Sequence, residues 1–303
     1  MGVNERRPLP NKMRQLIQQV FQQLGIPATI RKLIPVVGGV INDTYQVLTD
    51  DQPYFVKTKT GIPSDFFKKE QNNLALIRQT HTIAVPKDFG EWYDPQTKRG
   101  VLVLEWIEGK ATEKSEAQLG HDLALLHACY GSKFGNQEDN YIGLLPQPNG
   151  WSSSWTTFFR DQRIHFQLEY GYNKGVIRGS RYKKLEKLMN RIDDSWFSHQ
   201  PKPSPLHGDL WSGNWIPGPA GKPYLIDPAS FYGDRELDIA FTECFGGYSE
   251  SFYQAYQAQF PLSPTYSERK KLYMLLFLLI HLNLFGEKYG ERVDQILHYY
   301  VGK

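Results

Sequence analysis

Apolar side chains recur every three or four positions in two segments of the first third of the chain, residues 12–24 and 65–78. This spacing predicts two helices, each with one buried face. Alternation of apolar and polar residues predicts strands near residues 30–37, 43–48, 54–57, 85–89 and 101–106. We therefore expect a small, strand-rich unit into which one helix is inserted between the third and fourth strands.

The pattern changes after Glu108 and Gly109, where helical spacing dominates. Helices are predicted near residues 117–129, 156–169, 181–194 and 272–285, an irregular connection over 135–155, and a short β-rich stretch over 206–231. This order predicts an α+β fold with two lobes. The N-lobe, residues 1–107, is expected to hold antiparallel strands and one helix, and the C-lobe, residues 108–303, to be mainly helical. The cleft between two such lobes is the expected ligand site.

Composition narrows the possible partners. The chain has 35 basic and 32 acidic side chains, a balance that gives no support to nucleic-acid binding. The longest apolar run, residues 272–285, is too short to span a bilayer, and the N-terminal residues lack the apolar core of a signal peptide. The two cysteines, Cys129 and Cys244, do not form a disulfide framework. These observations predict a cytoplasmic protein without a membrane or nucleic-acid partner.

The strongest chemical signal lies in the segment LHGDLWSGNW, residues 206–215. Asp209 and Asn214 are five positions apart, and Asp227 follows an apolar, strand-like stretch. This is the spacing of a phosphoryl-transfer loop, in which one carboxylate accepts the proton of the attacking hydroxyl while an amide and a second carboxylate bind magnesium. The ordered set predicts Asp209 as the catalytic base and Asn214 and Asp227 as magnesium ligands. Each residue alone is more typical of a turn.

Two features of the first third fit the nucleotide of such a reaction. Lys57 ends an alternating strand, and Glu70 lies on the helix that follows, an order typical of a lysine that contacts ATP phosphates and a glutamate that orients it. Upstream, Gly38 and Gly39 lie between two predicted strands and would allow backbone N–H groups to approach phosphates. Strand-end lysines are common, however, and a Gly-Gly pair also fits a plain hairpin turn.

Further candidates flank these motifs. The apolar segment that runs into Glu105, Trp106 and Ile107 indicates a hinge whose backbone could bind adenine, although an edge strand is a rival interpretation. Trp211 lies inside the predicted catalytic loop and is a candidate for stacking on the substrate, with simple packing as the alternative. His207 is expected to order the loop rather than act as a base.

The strings LHGDLWSGNW and IDPASFYGDRELDIAFTECFGGYSESFYQAY resemble the fructosamine-3-kinase (ketosamine-3-kinase) family, and the likeness extends over nearly the whole chain. Such membership implies a protein-kinase-like fold and transfer of the γ-phosphate of ATP, with Mg²⁺, to the 3-hydroxyl of a ketosamine. The unstable 3-phosphate then frees the amine, so that glycated lysines on proteins are possible substrates and the outcome is deglycation. Bacterial-type relatives favour ribulosamines or erythrulosamines over fructosamines, which we expect here.

Two alternatives stay open at this point. A kinase of the same fold could act on another small hydroxyl compound, such as an aminoglycoside or an amino-alcohol. A catalytically silent nucleotide-binding protein would be expected to carry damaged catalytic positions, and none of the positions named above is damaged. One departure from some family members is Val40, which stands where they carry a redox-active cysteine, so no redox switch through this loop is expected.

Overall fold

The computed structural model describes residues 10–37 and 41–302. The chain forms two compact units: the first comprises Met1–Asn72 and Pro86–Glu108, the second Asn73–Val85 and Gly109–Lys303. The residues from Asn73 to Val85, which the sequence analysis assigned to the N-lobe, thus group with the second unit. A bond to a distant part of the chain contributes to this grouping, since Leu225 N donates to Ala84 O at 2.9 Å within that unit.

A five-stranded antiparallel sheet forms the centre of the first unit. Its strands are β1 (Ile30–Pro35), β2 (Asp43–Thr49), β3 (Pro53–Thr60), β4 (Asp88–Asp94) and β5 (Arg99–Glu105), in the order β1-β2-β3-β5-β4. Helix α1 (Pro10–Gln23) precedes the sheet, and α2 (Phe66–Arg78) follows β3. Ile17 and Phe21 of α1 are buried in the same apolar cluster as Val47, Val56 and Val103 of the sheet.

The strand predicted near residues 85–89 is wrong in its position, because β4 extends from Asp88 to Asp94. A register shift between Asp88 and Gly90 interrupts the ladder there, and Gly90 has φ +130°, a conformation that favours glycine. A Cβ on Gly90 would lie 2.8 Å from the Leu24 side chain. The strand residues are all half-buried, so the alternation that marks a strand in sequence is missing.

The second unit is mainly helical. Its helices are α3 (Ser115–His127), α4 (Trp155–Phe159), α5 (Phe166–Asn173), α6 (Gly179–Met189), α7 (Glu236–Phe245), α8 (Glu250–Gln259), α9 (Tyr266–Phe285) and α10 (Gly290–Val301), with a π-helical turn, Arg160–His165, between α4 and α5. Its core includes the buried apolar side chains of α9, where Phe277 stacks on Phe241 of α7 with ring centroids 3.5 Å apart. No helix among the described residues is long and apolar enough to cross a membrane.

The segment 135–155, expected to be irregular, contains a hairpin of two short strands, β6 (Asn140–Ile142) and β7 (Leu145–Gln147). Each strand has three residues, too few for an alternating pattern to show. Moreover, two of the inward-facing side chains, Asn140 and Gln147, are polar and buried. The sequence pattern therefore resembles that of a loop.

Two further ladders position the segments that carry the phosphoryl-transfer motifs. Strand β8 (Ser204–Leu206) pairs with β11 (Phe231–Gly233), and β9 (Trp215–Pro217) pairs with β10 (Pro223–Leu225). Leu206 lies opposite Phe231, and Trp215 lies opposite Leu225. Two connecting segments therefore start and end at the same two ladders and lie next to each other. One joins β8 to β9, and the other joins β10 to β11. The first contains Asp209 and Asn214, and the second contains Asp227.

Candidate active site

Asp209 and Asn214 are in direct contact. The Asn214 side-chain Nδ2 donates to the Asp209 backbone O at 2.7 Å and to Asp209 Oδ2 at 3.2 Å. Residues Ser212–Asn214 form a single 3₁₀ turn, which Asn214 N closes by donating to Trp211 O at 2.9 Å. Asn214 is buried, whereas Asp209 is partly accessible. Because Asn214 uses Nδ2 to hold the loop, its amide oxygen is directed away from these two bonds and is the atom suited to a cation.

The backbone before Asp209 is fixed by a carboxylate from helix α7. His207 N donates to Asp238 Oδ2 at 2.7 Å, and Gly208 N donates to Asp238 Oδ1 at 2.9 Å. His127 Nε2 lies 3.1 Å from Asp238 Oδ2, and all of these groups are buried. Gly208 has φ +82°, and a Cβ there would lie 2.1 Å from Ala229 O, so the close approach requires glycine. Asp238 thus braces the loop.

His207 has both ring nitrogens occupied by backbone groups. Its Nε2 donates to Ile226 O at 2.8 Å, which leaves Nδ1 as the acceptor for Asp209 N at 3.1 Å. Burial lowers the pKa of His207, so the ring is neutral at physiological pH. These contacts support the loop-ordering role expected of His207.

Asp227 follows β10 in a left-handed backbone conformation, with φ +55°. Such a conformation is strained for a residue other than glycine and persists only where the surroundings enforce it. The residue before it is bonded in both directions, because Ile226 N donates to Asn214 O at 3.0 Å and Ile226 O accepts from His207. Ala229 N donates to His207 O at 2.9 Å. These hydrogen bonds therefore hold the Asp227 segment and the Asp209 loop together.

The electrostatics of Asp209 and Asp227 fit a catalytic base beside a cation site. Burial raises the pKa of the Asp209 carboxyl well above its usual range, and the neighbouring Asp227 carboxylate adds to that rise. Two carboxylates and an amide oxygen at one place are hard oxygen donors of the kind that Mg²⁺ prefers. The Asn214 and Asp227 side chains therefore fit a magnesium ion, and a bound cation would offset the repulsion between the two carboxylates.

In the first unit, Lys57 and Glu70 form the predicted pair. Lys57 Nζ lies 2.5 Å from Glu70 Oε1, and the Lys57 side chain is only 3% exposed. Lys57 stands in the middle of the sheet, opposite Thr44 on β2 and Leu102 on β5. A buried ammonium is costly without a partner, so Glu70 both compensates and orients it.

The predicted hinge residues end β5 in the first unit. Glu105 exchanges bonds with Lys87: Lys87 N donates to Glu105 Oε2 at 3.0 Å, and Glu105 N donates to Lys87 O at 2.8 Å. Trp106 and Ile107 follow the strand and are half-buried, and Trp106 Nε1 is buried without a partner among the described residues. The Glu105 side chain is thus already engaged, which favours backbone contacts of Trp106 and Ile107 for any adenine. Gly38 and Gly39 lie outside the described residues.

Trp211 lies over its own loop. A Cβ on Gly213 would lie 2.0 Å from the Trp211 ring, yet 41% of the Trp211 surface is exposed. Next to this loop, a Cβ on Gly247 would lie 2.4 Å from Ser212 Oγ, so Gly247 packs against it. The Tyr248 hydroxyl is buried with no partner among the described residues. Sequence reasoning did not single out Tyr248, because only its place after the Gly246-Gly247 pair distinguishes it from the other tyrosines.

The fold belongs to the protein-kinase-like class. A solved structure of a thermostable aminoglycoside phosphotransferase mutant is similar to this chain with a TM-score of 0.66, 15% identity and coverage of 94% of this chain and 99% of that chain. At this identity the likeness concerns the fold alone. The predicted α+β, protein-kinase-like fold is thereby confirmed.

Within that class, the chain belongs to the fructosamine kinase family, whose model matches residues 12–303. A Synechocystis protein named "Probable ketoamine kinase slr1563" is 38% identical over 95% of this chain and 96% of its own length. A "Probable ketoamine kinase" of Lactiplantibacillus plantarum is 38% identical over 91% of this chain and 96% of its own. The crystal structure of a Haemophilus somnus protein predicted to be a fructosamine-3-kinase has a TM-score of 0.84 and 30% identity, and the match covers 94% of this chain and 96% of that one. The predicted family is confirmed, whereas the roles of single residues stay predictions.

Proposed function

We propose that this chain transfers the γ-phosphoryl group of ATP to the 3-hydroxyl of a ketosamine, with ribulosamines or erythrulosamines preferred over fructosamines. The observation that carries the proposal is the contact of Asp209 with Asn214, beside Asp227, in a member of the fructosamine kinase family. The unstable 3-phosphate would release the amine, which makes deglycation of glycated lysines in the cytoplasm the expected outcome.

In the proposed reaction, Asp209 orients the substrate hydroxyl and accepts its proton as the oxygen attacks the γ-phosphorus. The bond between that phosphorus and the bridging oxygen of ADP breaks, and ADP leaves with the electron pair. The raised pKa of Asp209 suits a proton acceptor, because a stronger base holds the proton better. When bound, Mg²⁺ neutralises phosphate charge, and Asn214 and Asp227 are the residues that would hold it.

The nucleotide roles rest on the first unit. Lys57, oriented by Glu70, is proposed to contact the α- and β-phosphates, and the backbone of residues 105–107 to receive the adenine. Gly38 and Gly39 are proposed to cover the phosphates. ATP as the donor is supported by proteins of the same fold with bound adenine nucleotides, among them an aminoglycoside phosphotransferase in a ternary complex with ADP and hygromycin B and LicA in complex with AMP.

On the acceptor side, Trp211 is the proposed sugar-stacking residue, because it follows Asp209 by two positions in the same loop and is 41% exposed. An aromatic face can cover the apolar face of a sugar while the hydroxyls reach polar groups. A Trp211→Ala variant is expected to raise KM for the adduct more than KM for ATP.

A substrate panel tests the proposed function. Purified protein with Mg-ATP receives, separately, a ribulose-lysine adduct, a fructose-lysine adduct, an aminoglycoside and an amino-alcohol, and ADP formation is followed. NMR of the product locates the phosphate on the sugar. We expect ADP formation with both adducts, faster with ribulose-lysine, and phosphate on the 3-hydroxyl. Turnover of the aminoglycoside or amino-alcohol alone would overturn the ketosamine assignment and leave a kinase of the same fold.

A further inference from the structure

Four buried amide side chains of the second unit are joined around Asn140. Asn140 Nδ2 donates to Asn73 Oδ1 at 2.8 Å, and Asn140 Oδ1 accepts from Gln147 Nε2 and Asn149 Nδ2, both at 2.9 Å. None of the four is more than 4% exposed. Buried amides are costly unless their donors and acceptors are paired, so this set must act as one network.

The donors of this amide network converge on three consecutive carbonyls, those of the three residues that follow Asp227. Asn73 Nδ2 donates to Pro228 O at 2.8 Å, Gln147 Nε2 to Ala229 O at 3.0 Å, and Asn140 Nδ2 to Ser230 O at 2.8 Å. The network therefore holds the backbone of one short segment, and that segment begins at the candidate metal ligand.

A buried arginine fixes the far end of the network. Arg163 Nη2 donates to Asn149 Oδ1 at 2.6 Å, and Arg163 Nη1 donates to Pro148 O at 2.5 Å. The guanidinium also stacks on Phe231, with its central carbon 4.0 Å from the ring centroid. Burial lowers the pKa of Arg163 to about 9, which still leaves it charged at pH 7.

The charges and carbonyls at the two ends determine how the amides are oriented. A cation requires the oxygen of Asn149 to face it, so the Asn149 amino group faces Asn140. At the other end, Ser230 O requires a donor, so the amino group of Asn140 faces the backbone. Arg163 at one end and Ser230 O at the other therefore require the same orientation of the Asn140 amide, with Oδ1 toward Asn149 and Nδ2 toward Ser230 O.

The amide network holds the backbone on the C-terminal side of Asp227. Asp227 has φ +55°, and the residue before it is held by Asn214 and His207. The amide network holds the residues after it. Strain of this kind persists only when both sides are constrained, because a free segment would relax to an extended or helical conformation.

We propose that the amide network centred on Asn140 positions Asp227 for divalent-cation binding, so that residues remote from the metal set its affinity. The inference rests on the proposed function, in which Asp227 is a metal ligand. Asn73, Asn140, Gln147, Asn149 and Arg163 are positioning residues. Outer partners of metal ligands commonly change metal affinity by ~10- to 100-fold when they are replaced.

The test replaces Asn140 by aspartate, which keeps the shape but removes the two Nδ2 donors. Binding of Mn²⁺, used as a probe for Mg²⁺, is measured by electron paramagnetic resonance in the presence of ADP. We expect the Kd of Asn140→Asp for Mn²⁺ to rise about 10-fold. Its affinity for ADP without metal is expected to match the wild type.

Asn283 provides a matched control, since its Nδ2 also makes two bonds, to Gln167 O at 2.9 Å and Gln167 Oε1 at 2.8 Å. Asn283→Asp is expected to lower Tm but to keep the wild-type Kd for Mn²⁺. If Asn140→Asp does not fold, Asn73→Ala, which removes the bond to Pro228 O and the acceptor of one Asn140 Nδ2 bond, is expected to weaken Mn²⁺ binding about threefold or more.

Three results would overturn the inference. Folded Asn140→Asp or Asn73→Ala with the wild-type Kd for Mn²⁺ would make the network a purely structural element and leave the proposed function intact. Asn283→Asp with the same rise in Kd would attribute the effect to general destabilisation. A wild-type protein that binds no Mn²⁺ with ADP would instead overturn the proposed function and this inference together.

Discussion

The two backbone segments that carry the candidate site are held by opposite chemistry. The loop before Asp209 offers N–H groups to one buried carboxylate, that of Asp238. The segment after Asp227 offers carbonyls to several neutral amides of the network around Asn140. The Asp238 carboxylate, the charged brace, holds the first segment with one charged group. The amide network holds the second segment with several neutral groups.

This difference has energetic consequences. A buried carboxylate forms stronger hydrogen bonds than a neutral group, but its loss or neutralisation leaves several buried donors without an acceptor. A single amide bond contributes only about 1 kcal/mol, so the effect of each amide should be graded. Loss of the Asp238 carboxylate should therefore affect the Asp209 loop strongly, whereas loss of one amide should affect the segment after Asp227 more weakly.

The largest effect is expected at the charged brace. Asp238→Asn places an amino group against backbone N–H donors in a buried site, which should lower the free energy of unfolding by about 3 kcal/mol and kcat by roughly 100-fold. Urea denaturation and ADP formation measure the two quantities. Asp193→Asn, at an exposed helix cap, is the matched control and should change kcat little. A wild-type urea midpoint and kcat in Asp238→Asn would show that the brace is no stronger than the amides.

An intermediate effect is expected at the Lys57–Glu70 ion pair of the first unit, in which a charged partner holds a side chain and not a backbone segment. Glu70→Gln keeps an acceptor near Lys57 but removes the charge that balances the buried ammonium. We expect kcat/KM for ATP to fall about 10-fold, mainly through KM. Steady-state kinetics with varied ATP concentration measure kcat and KM for ATP in the variant and the wild type. If KM for ATP stays at the wild-type value, Lys57 does not depend on the charge of Glu70 for its position.

The smallest effect is the part of the pH dependence of stability that His127, the histidine in contact with Asp238, contributes. Burial lowers the pKa of His127, which contacts Asp238, so the unfolded chain takes up this proton before the folded protein does. Stability is therefore lost as pH falls through about 6.5, by roughly 1 kcal/mol between pH 7 and pH 5.5 for this histidine. Urea denaturation of His127→Gln across this range should show a shallower dependence.

The amide network supplies the contrast for that measurement. No titration of its amides occurs in this range, so Asn73→Ala should keep the wild-type pH dependence at a lower overall stability. An unchanged slope in His127→Gln, or an altered one in Asn73→Ala, would contradict the assignment of the acid sensitivity to the charged brace.

Sequence reasoning reached the parts of the site that local spacing encodes. Asp209 and Asn214 are five residues apart in one loop, and Lys57 and Glu70 belong to a strand and the next helix. The order of Lys57 and Glu70 in the chain was therefore enough to predict that they form a pair. The fold class followed from the same order of strands and helices. Residues 73–85, expected in the N-lobe, group with the second unit, and this grouping involves bonds to residues far away in the chain.

The amide network escaped prediction for the same physical reason. Asn73 and Pro228 are separated by 155 positions, and Asn140 and Ser230 by 90. Their pairing depends on tertiary packing that leaves no periodicity in the sequence. Buried asparagines and glutamines in three-residue strands also resemble loop residues, so the pattern pointed away from a buried network.

The central claim is that Asp209 accepts the proton in phosphorylation of a ketosamine. The most direct test is the rate of ADP formation by Asp209→Asn with saturating Mg-ATP and ribulose-lysine, with Asp193→Asn as control. We predict that Asp209→Asn lowers kcat by about 100- to 10,000-fold, the range of a general base, while ATP binding is retained. A kcat within a few-fold of the wild type in a folded Asp209→Asn protein would contradict the account.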